Sequence, residues 1–262
     1  MSRKRRRVVL LIVEGPSDET ALEQSFAAFF DPDEVMIKVV HGDVTAEANV
    51  GPSNVASAVG DLVKAWASRY GLGRSDFIRV IHVVDSDGAY VPDANVIEDV
   101  EHVGRPVYAE SCIIASPTSR IKGRNARKRA NLDRLSSLAA VWGSVPYSVH
   151  YMSCNLDHVL HGEANADDAA KRANAYRFAT KYRDDLDGFV RFIADPAVAV
   201  PGDYGETWDY IRQGLNSLQR HSNLHLCFRR ESPEALREAK EIAAAETRTG
   251  LPPAEALAEL RG

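Results

Sequence analysis

Val8-Val9-Leu10-Leu11-Ile12-Val13-Glu14-Gly15-Pro16-Ser17-Asp18 decides the fold. Its first six residues are apolar without a break and mostly β-branched. Such a run reads as a strand buried on both faces, the kind found in parallel sheets. Glu14 closes the strand and Gly15-Pro16 turns the chain. Ser17 or Asp18 caps the helix that follows, where Ala21, Leu22, Phe26 and Phe29-Phe30 have helical spacing. Asp31-Pro32 stops it.

The pattern continues downstream. Residues 34–40 read as a second strand, and His41-Gly42-Asp43-Val44-Thr45 as a polar turn. Pro52-Ser53 opens a helix whose buried stripe is Val55, Val59, Leu62, Val63 and Trp66, and Gly71-Leu72-Gly73 ends it. Residues 77–84 form a third apolar strand, with Asp85-Ser86-Asp87-Gly88 at its C-terminal end. Residues 106–115 hold a further strand. The order β-α-β-α-β argues for an α/β fold with a central parallel sheet flanked by helices. In such sheets ligands bind beyond the carboxyl ends of the strands. If the first and third strands are neighbours, Glu14 and the Asp85/Asp87 pair reach one crevice.

Residues 116–134 read as a polar, basic loop leading into a helix from about Leu132 to Trp142. Tyr147 to Met152 is one more strand. The rest reads as helices over 167–182, 184–194, 204–219 and 232–247, broken at Pro196, Pro201-Gly202 and Glu231-Ser232-Pro233. This divides the chain into an α/β core at 1–115, a basic loop, helix and strand at 116–152, and a helical C-terminal part at 153–262.

The chain has 262 residues, enough for a sizeable core, and no apolar run approaches the ~20 residues that span a bilayer. The basic start at Arg3 to Arg7 ahead of an apolar run imitates a signal peptide. The run is short, however, and ends in Glu14-Gly15-Pro16 instead of a small-residue cleavage site. Cys112, Cys154 and Cys227 make an odd set with no CxxC, so neither a disulfide framework nor a zinc knuckle is indicated. Three reduced thiols in a cytoplasmic protein are expected.

A net charge of −5 excludes a uniformly basic nucleic-acid binder. The positive charge is concentrated instead. Arg120, Lys122, Arg124, Arg127, Lys128, Arg129 and Arg134 crowd one stretch in which Asp133 is the one acid. That stretch reads either as a phosphate-gripping segment or as a solvated helix face.

Carboxylates at two strand ends suit hard cations. Mg²⁺ or Mn²⁺ prefers carboxylate oxygen, and phosphodiester cleavage needs the phosphate's charge neutralised as it builds. Two aspartates flanking one residue share a cation, and a third carboxylate from a neighbouring strand completes the site or moves a proton. Gly15 and Gly88 are expected to let the backbone turn and a phosphate approach closely.

The stretch Val9 to Glu19, with Glu14-Gly15 and Asp18, resembles the first motif of the TOPRIM domain. Val83-Val84-Asp85-Ser86-Asp87-Gly88 resembles its Asp-x-Asp motif. The resemblance covers roughly residues 7–115. It implies that Glu14 is the acid/base or metal-linked glutamate and that Asp85 and Asp87 hold Mg²⁺. Asp18 matches an aspartate that nuclease members carry four residues after the glutamate. Topoisomerases, primases and nucleases of the overcoming-lysogenisation-defect type share the domain. The tyrosine-bearing, zinc-binding and ATPase parts of larger members are lacking here. The length is similar to small stand-alone TOPRIM proteins, including ribonuclease-like effectors of phage defence, an analogy from domain content alone.

Other residues read two ways. Asp43 is an extra metal or substrate contact, or a turn-forming Asp. Asn155, Asp157 and His158 bring a carboxylate and a proton carrier to the crevice, or form a capped helix start. His82, inside a strand, is expected to be a packed core histidine. The expected function is a Mg²⁺- or Mn²⁺-dependent nuclease acting on RNA or DNA. The alternative is a non-catalytic nucleic-acid-binding or regulatory module. The C-terminal helices are the expected surface for a homodimer or a partner protein.

Overall fold

Alternate residues of the first strand face two different cores. Val8, Leu10 and Ile12 belong to one buried cluster and Val9, Leu11 and Val13 to another, all six with no exposure. A strand covered on both faces needs apolar residues at every position, which is why the run is unbroken. In the computed structural model this is β1 (Arg7–Val13), and residues 7–30, 35–102 and 104–229 are described.

Helix α1 (Pro16–Phe29) follows, with Pro16 at its first turn and the Asp18 carboxylate accepting from the Gly15 N–H at 3.0 Å. Next come β2 (Val35–His41), α2 (Val55–Arg69) and β3 (Phe77–Asp85). The chain then makes β4 (Val96–Glu98), β5 (Val107–Tyr108), β6 (Ile113–Ala115), α3 (Thr118–Ser136), β7 (Ala140–Val141) and β8 (Val145–Met152). Four more helices are described: α4 (Leu156–His161), α5 (Asp168–Tyr182), α6 (Leu186–Ile193) and α7 (Tyr204–Ile211).

The main sheet has the order β2-β1-β3-β8-β7. β2, β1, β3 and β8 run parallel, and β7 is antiparallel to β8, so the sheet is mixed at one edge. One face is covered by α2, α3 and α7 and the other by α1, α4, α5 and α6. The chain leaves β1 to one side, through α1 to β2, and returns to the other side through α2 to β3. The crevice between the ends of β1 and β3 is therefore a topological switch point, where open α/β sheets bind ligands.

Three expectations are corrected. Residues 106–115 do not form one strand. They supply β5 and β6, which pair with β4 in a separate small sheet over Val91, Ile121 and Leu218. The basic stretch is no loop either: α3 runs unbroken from Thr118 to Ser136. Its buried positions are Ile121, Asn125, Lys128, Asn131, Leu132 and Leu135, so half of its inward stripe is polar and the helical period is hidden by composition. The helix expected over 204–219 ends at Ile211, and Gly214 with φ 54° turns the chain before a short 3₁₀ turn at Asn216–Leu218. The helix expected over 232–247 lies outside the described residues.

Candidate functional site

The register of β1 against β3 pairs Leu11 with Ile81 and Ile12 with His82, so the two strands end side by side. Glu14 leaves the end of β1, and its Oε1 accepts from the Asp85 backbone N–H at 3.2 Å. Asp85 closes β3, and its Oδ1 accepts from the Leu156 N–H at 2.9 Å, at the start of α4.

The turn after β3 is tied to the turn after β8. The Asp87 N–H donates to the Cys154 carbonyl at 2.7 Å, and the Cys154 N–H donates to Ser86 Oγ at 2.9 Å. Asp87 and Cys154 both sit at positive φ, 50° and 60°. Such backbone persists only where surrounding bonds over-determine it, and it aims the Asp87 carboxylate into the crevice. Gly88 follows at φ 64°, where a Cβ would lie 2.9 Å from Leu218 Cδ2. Gly15, by contrast, is extended at φ −155° and any residue adopts that conformation. Its predicted role as a turning glycine is corrected; no atom stands within 4 Å of where its Cβ would be.

Lys128 joins these groups. It is fully buried, and its Nζ lies 2.5 Å from Asp87 Oδ2 and 3.3 Å from Glu14 Oε1. A lone buried ammonium costs several kcal/mol, roughly, so it needs partners of this kind. Lys128, expected among the residues that contact nucleic acid, is turned inward by its position in α3, onto the carboxylates. Burial alone would pull Lys128 down, but Asp87, Glu14 and Asp43 hold it well above its ordinary value. Burial pushes Glu14 up to about 8, with Lys128 opposing and Asp43, Asp87 and Asp18 adding to the rise. Burial and the neighbouring Glu14, Asp18 and Asp87 raise Asp85 well above the carboxylate range. Asp87 goes the other way: burial would raise it, but Lys128 and Arg124 hold it below its usual value. Two carboxyls biased toward protonation thus face one held ionised.

A cleft of about 380 Å³ opens over these groups, lined by Glu14, Asp85, Asp87, Tyr108, Asn155 and Lys171 among others. Asp18 is held by Gly15 and raised by burial, with Gly15 and Lys171 opposing. Asp43 bonds Thr45 Oγ1 and the Ala46 N–H, as a turn residue does. Its charge nevertheless reaches Glu14 and Lys128. Asn155 caps α4, accepting from the His158 N–H at 2.9 Å, and also lines the cleft. Asp157 turns away and accepts from Asn174 Nδ2 at 3.0 Å. His158 does not line the cleft, and burial lowers its pKa.

The other basic residues of α3 divide. Arg124 spends its guanidinium on the Asp87 carbonyl, Tyr108 Oη and Asn125 Oδ1, so it braces the turn that carries Asp87. Arg120, Arg124 and Arg127 line a second pocket. Lys122 and Arg129 line neither. Tyr108, Asn165 and Lys171 were missed by sequence reasoning, because each reaches the cleft from an element of no motif. Lys128 had a legible signal: it is in helical phase with Ile121, Leu132 and Leu135.

Among the described residues no group of three His, Cys, Asp or Glu side chains is drawn together as a formed metal site. The Lys128 ammonium stands between two of the carboxylates instead. No helix among the described residues is long and apolar enough to cross a membrane. Compared with models of known protein families, with curated proteins and with solved structures, the chain matches none.

Proposed function

We propose that this chain is a TOPRIM-like nuclease that cleaves phosphodiester bonds in RNA or DNA with a divalent cation at Glu14, Asp85 and Asp87. The observation that carries the reading is the adjacency of β1 and β3, which brings those carboxyls to one crevice at the switch point.

The donor chemistry fits Mg²⁺ or Mn²⁺. All three side chains offer hard oxygens. Among the described residues, Glu14 Oε2 and Asp85 Oδ2 carry no hydrogen bond, and both side chains line the cleft. Burial first, and the neighbouring carboxylates after it, raise Glu14 and Asp85, and a bound cation would favour their ionised forms. A bound cation would supply charge neutralisation at the phosphate and a more acidic water. The chain's own groups do the rest. Lys128 holds Asp87 ionised and places a positive charge beside the developing phosphate charge. Glu14 would hold the cation in its ionised form, its upward shift belonging to the metal-free site. Lys171 and Arg124 flank the cleft with positive charge. A role in phage defence rests on domain content alone.

The second reading is a non-catalytic TOPRIM-fold binding or regulatory module. The Lys128 ammonium favours it, because a lysine between carboxylates satisfies them without a metal. The test is incubation of purified protein with labelled tRNA, single-stranded RNA, single-stranded DNA and plasmid, in Mg²⁺, Mn²⁺ or EDTA. Metal-dependent cutting establishes the nuclease. Binding with no cutting of any member establishes the module.

A further inference from the structure

The second pocket has a volume of about 580 Å³ and lies against the acidic cleft, sharing Arg105, Pro106 and Arg124 with it. Its charged lining is Arg105, Arg120, Arg124 and Arg127, with no carboxylate among the lining residues, and Arg105 is paired from outside with Asp168. Ile121, Ala115, Pro117 and Ala46 supply the apolar wall. On a chain of net charge −5, four guanidinium groups around one space are a marked local reversal.

The arginines are not all spent internally. Arg124 is engaged with Asp87, Tyr108 and Asn125, and Arg127 donates from Nη2 to the Ala46 carbonyl at 3.2 Å. The Arg127 Nε, however, is buried with no hydrogen-bond partner. A buried donor left unmade costs about 1–3 kcal/mol, so an acceptor within its reach would be stabilising. Arg120 is exposed on the pocket rim. Guanidinium groups recognise phosphate through paired N–H donors, and several converging on one space suit a dianion.

Building on the nuclease reading, we propose that this pocket is a subsite for a terminal phosphate monoester of a nucleic-acid strand, whose chain then runs into the acidic cleft. A terminal monoester carries about −1.5 to −2 charge near neutrality, and an internal diester only one. Arg120 and Arg127, with Arg105 and Arg124 beside them and no carboxylate in the lining, match the former. The enzyme would act next to phosphorylated ends.

The test is fluorescence anisotropy in EDTA, so that no cutting occurs. The probes are short single strands of RNA and DNA with the label at one end. The other end carries a 5′-phosphate, a 3′-phosphate or a hydroxyl. The expected result is binding about tenfold tighter for one phosphorylated end, a preference that Arg120→Glu erases. The Arg120 side chain is exposed and makes no hydrogen bond among the described residues, and a circular-dichroism melt checks that the variant folds. Equal affinity for phosphate and hydroxyl ends overturns the proposal. If Arg120→Glu then weakens every probe alike, the pocket holds an internal diester instead. A protein that prefers a phosphorylated end in EDTA yet cuts nothing in Mn²⁺ supports this subsite and removes the nuclease reading.

Discussion

Lys128 Nζ lies 2.5 Å from Asp87 Oδ2, although 41 residues separate them and Lys128 is fully buried. The pair makes α3 part of the acidic site. It also sets the electrostatic asymmetry there: Asp87 is held low, and Glu14 and Asp85 are raised. Lys128→Met should therefore destabilise the protein in EDTA. The expected loss is about 3 kcal/mol, the lower end for breaking a buried pair, because Asp87 and Glu14 remain 23% and 19% exposed. Urea denaturation measures it. An unchanged midpoint would mean that the pair contributes no net stability.

The pH dependence of stability follows from the same shifts. Glu14 is raised from 4.5 to about 8 on folding, so between those values the unfolded chain gives up its proton more readily. Stability from this group is complete below about 4.5, declines as pH rises, and levels off above about 8. Asp85, also raised, acts in the same direction. Asp87 is lowered, so its contribution is present above 3.8 and is lost on acidification. In EDTA the free energy of unfolding should fall between pH 5 and 8, and Glu14→Gln should flatten part of that slope. Denaturant titrations at several pH values check it.

A divalent cation adds a further linkage. If Glu14, Asp85 and Asp87 hold Mn²⁺, saturation at 100 times Kd stabilises the fold by about 2.7 kcal/mol. Asp85→Asn keeps an acceptor for the Leu156 N–H but removes a charge. It should abolish the Mn²⁺-induced rise in Tm and reduce cutting by about a hundredfold or more. Full activity in both Asp85→Asn and Glu14→Gln would sink the assignment.

How much of this was legible in the sequence differs by element. β1 was readable because burial on both faces leaves a continuous apolar run. The carboxylates at the strand ends were readable as types, since Glu14 and Asp85 each end such a run. That β1 and β3 are neighbours is a matter of strand order, which no local pattern encodes. The course of α3 was misread because Asn125, Lys128 and Asn131 occupy its inward stripe, where an apolar period is sought. The donors of these buried side chains find distant partners: Asn131 Nδ2 donates to the Thr45 and Val50 carbonyls, and Asn125 Nδ2 to the Gly88 carbonyl. Only the assembled fold supplies such partners. Tyr108 and Lys171 were invisible for the same reason.

The wall of the cleft gives the last prediction. Asn165 clasps Tyr108 by its backbone: the Tyr108 N–H donates to Asn165 Oδ1 at 2.8 Å, and Asn165 Nδ2 donates to the Tyr108 carbonyl at 2.9 Å. Tyr108 in turn donates to Asp87 Oδ1 and accepts from Arg124. The nearby Arg105–Asp168 ion pair spans the same gap, but its side chains are 71% and 64% exposed, and such pairs contribute little. The clasp, not the ion pair, should hold β5 against the segment before α5. Asn165→Ala should speed hydrogen exchange at the Tyr108 amide and cost about 1–2 kcal/mol of local opening energy. Asp168→Ala should leave that amide nearly unchanged. Equal acceleration in the two variants would shift the latch to the ion pair. No acceleration in either would mean that β5 is held by its pairing with β6, through Val107 and Tyr108 opposite Ile114 and Ile113.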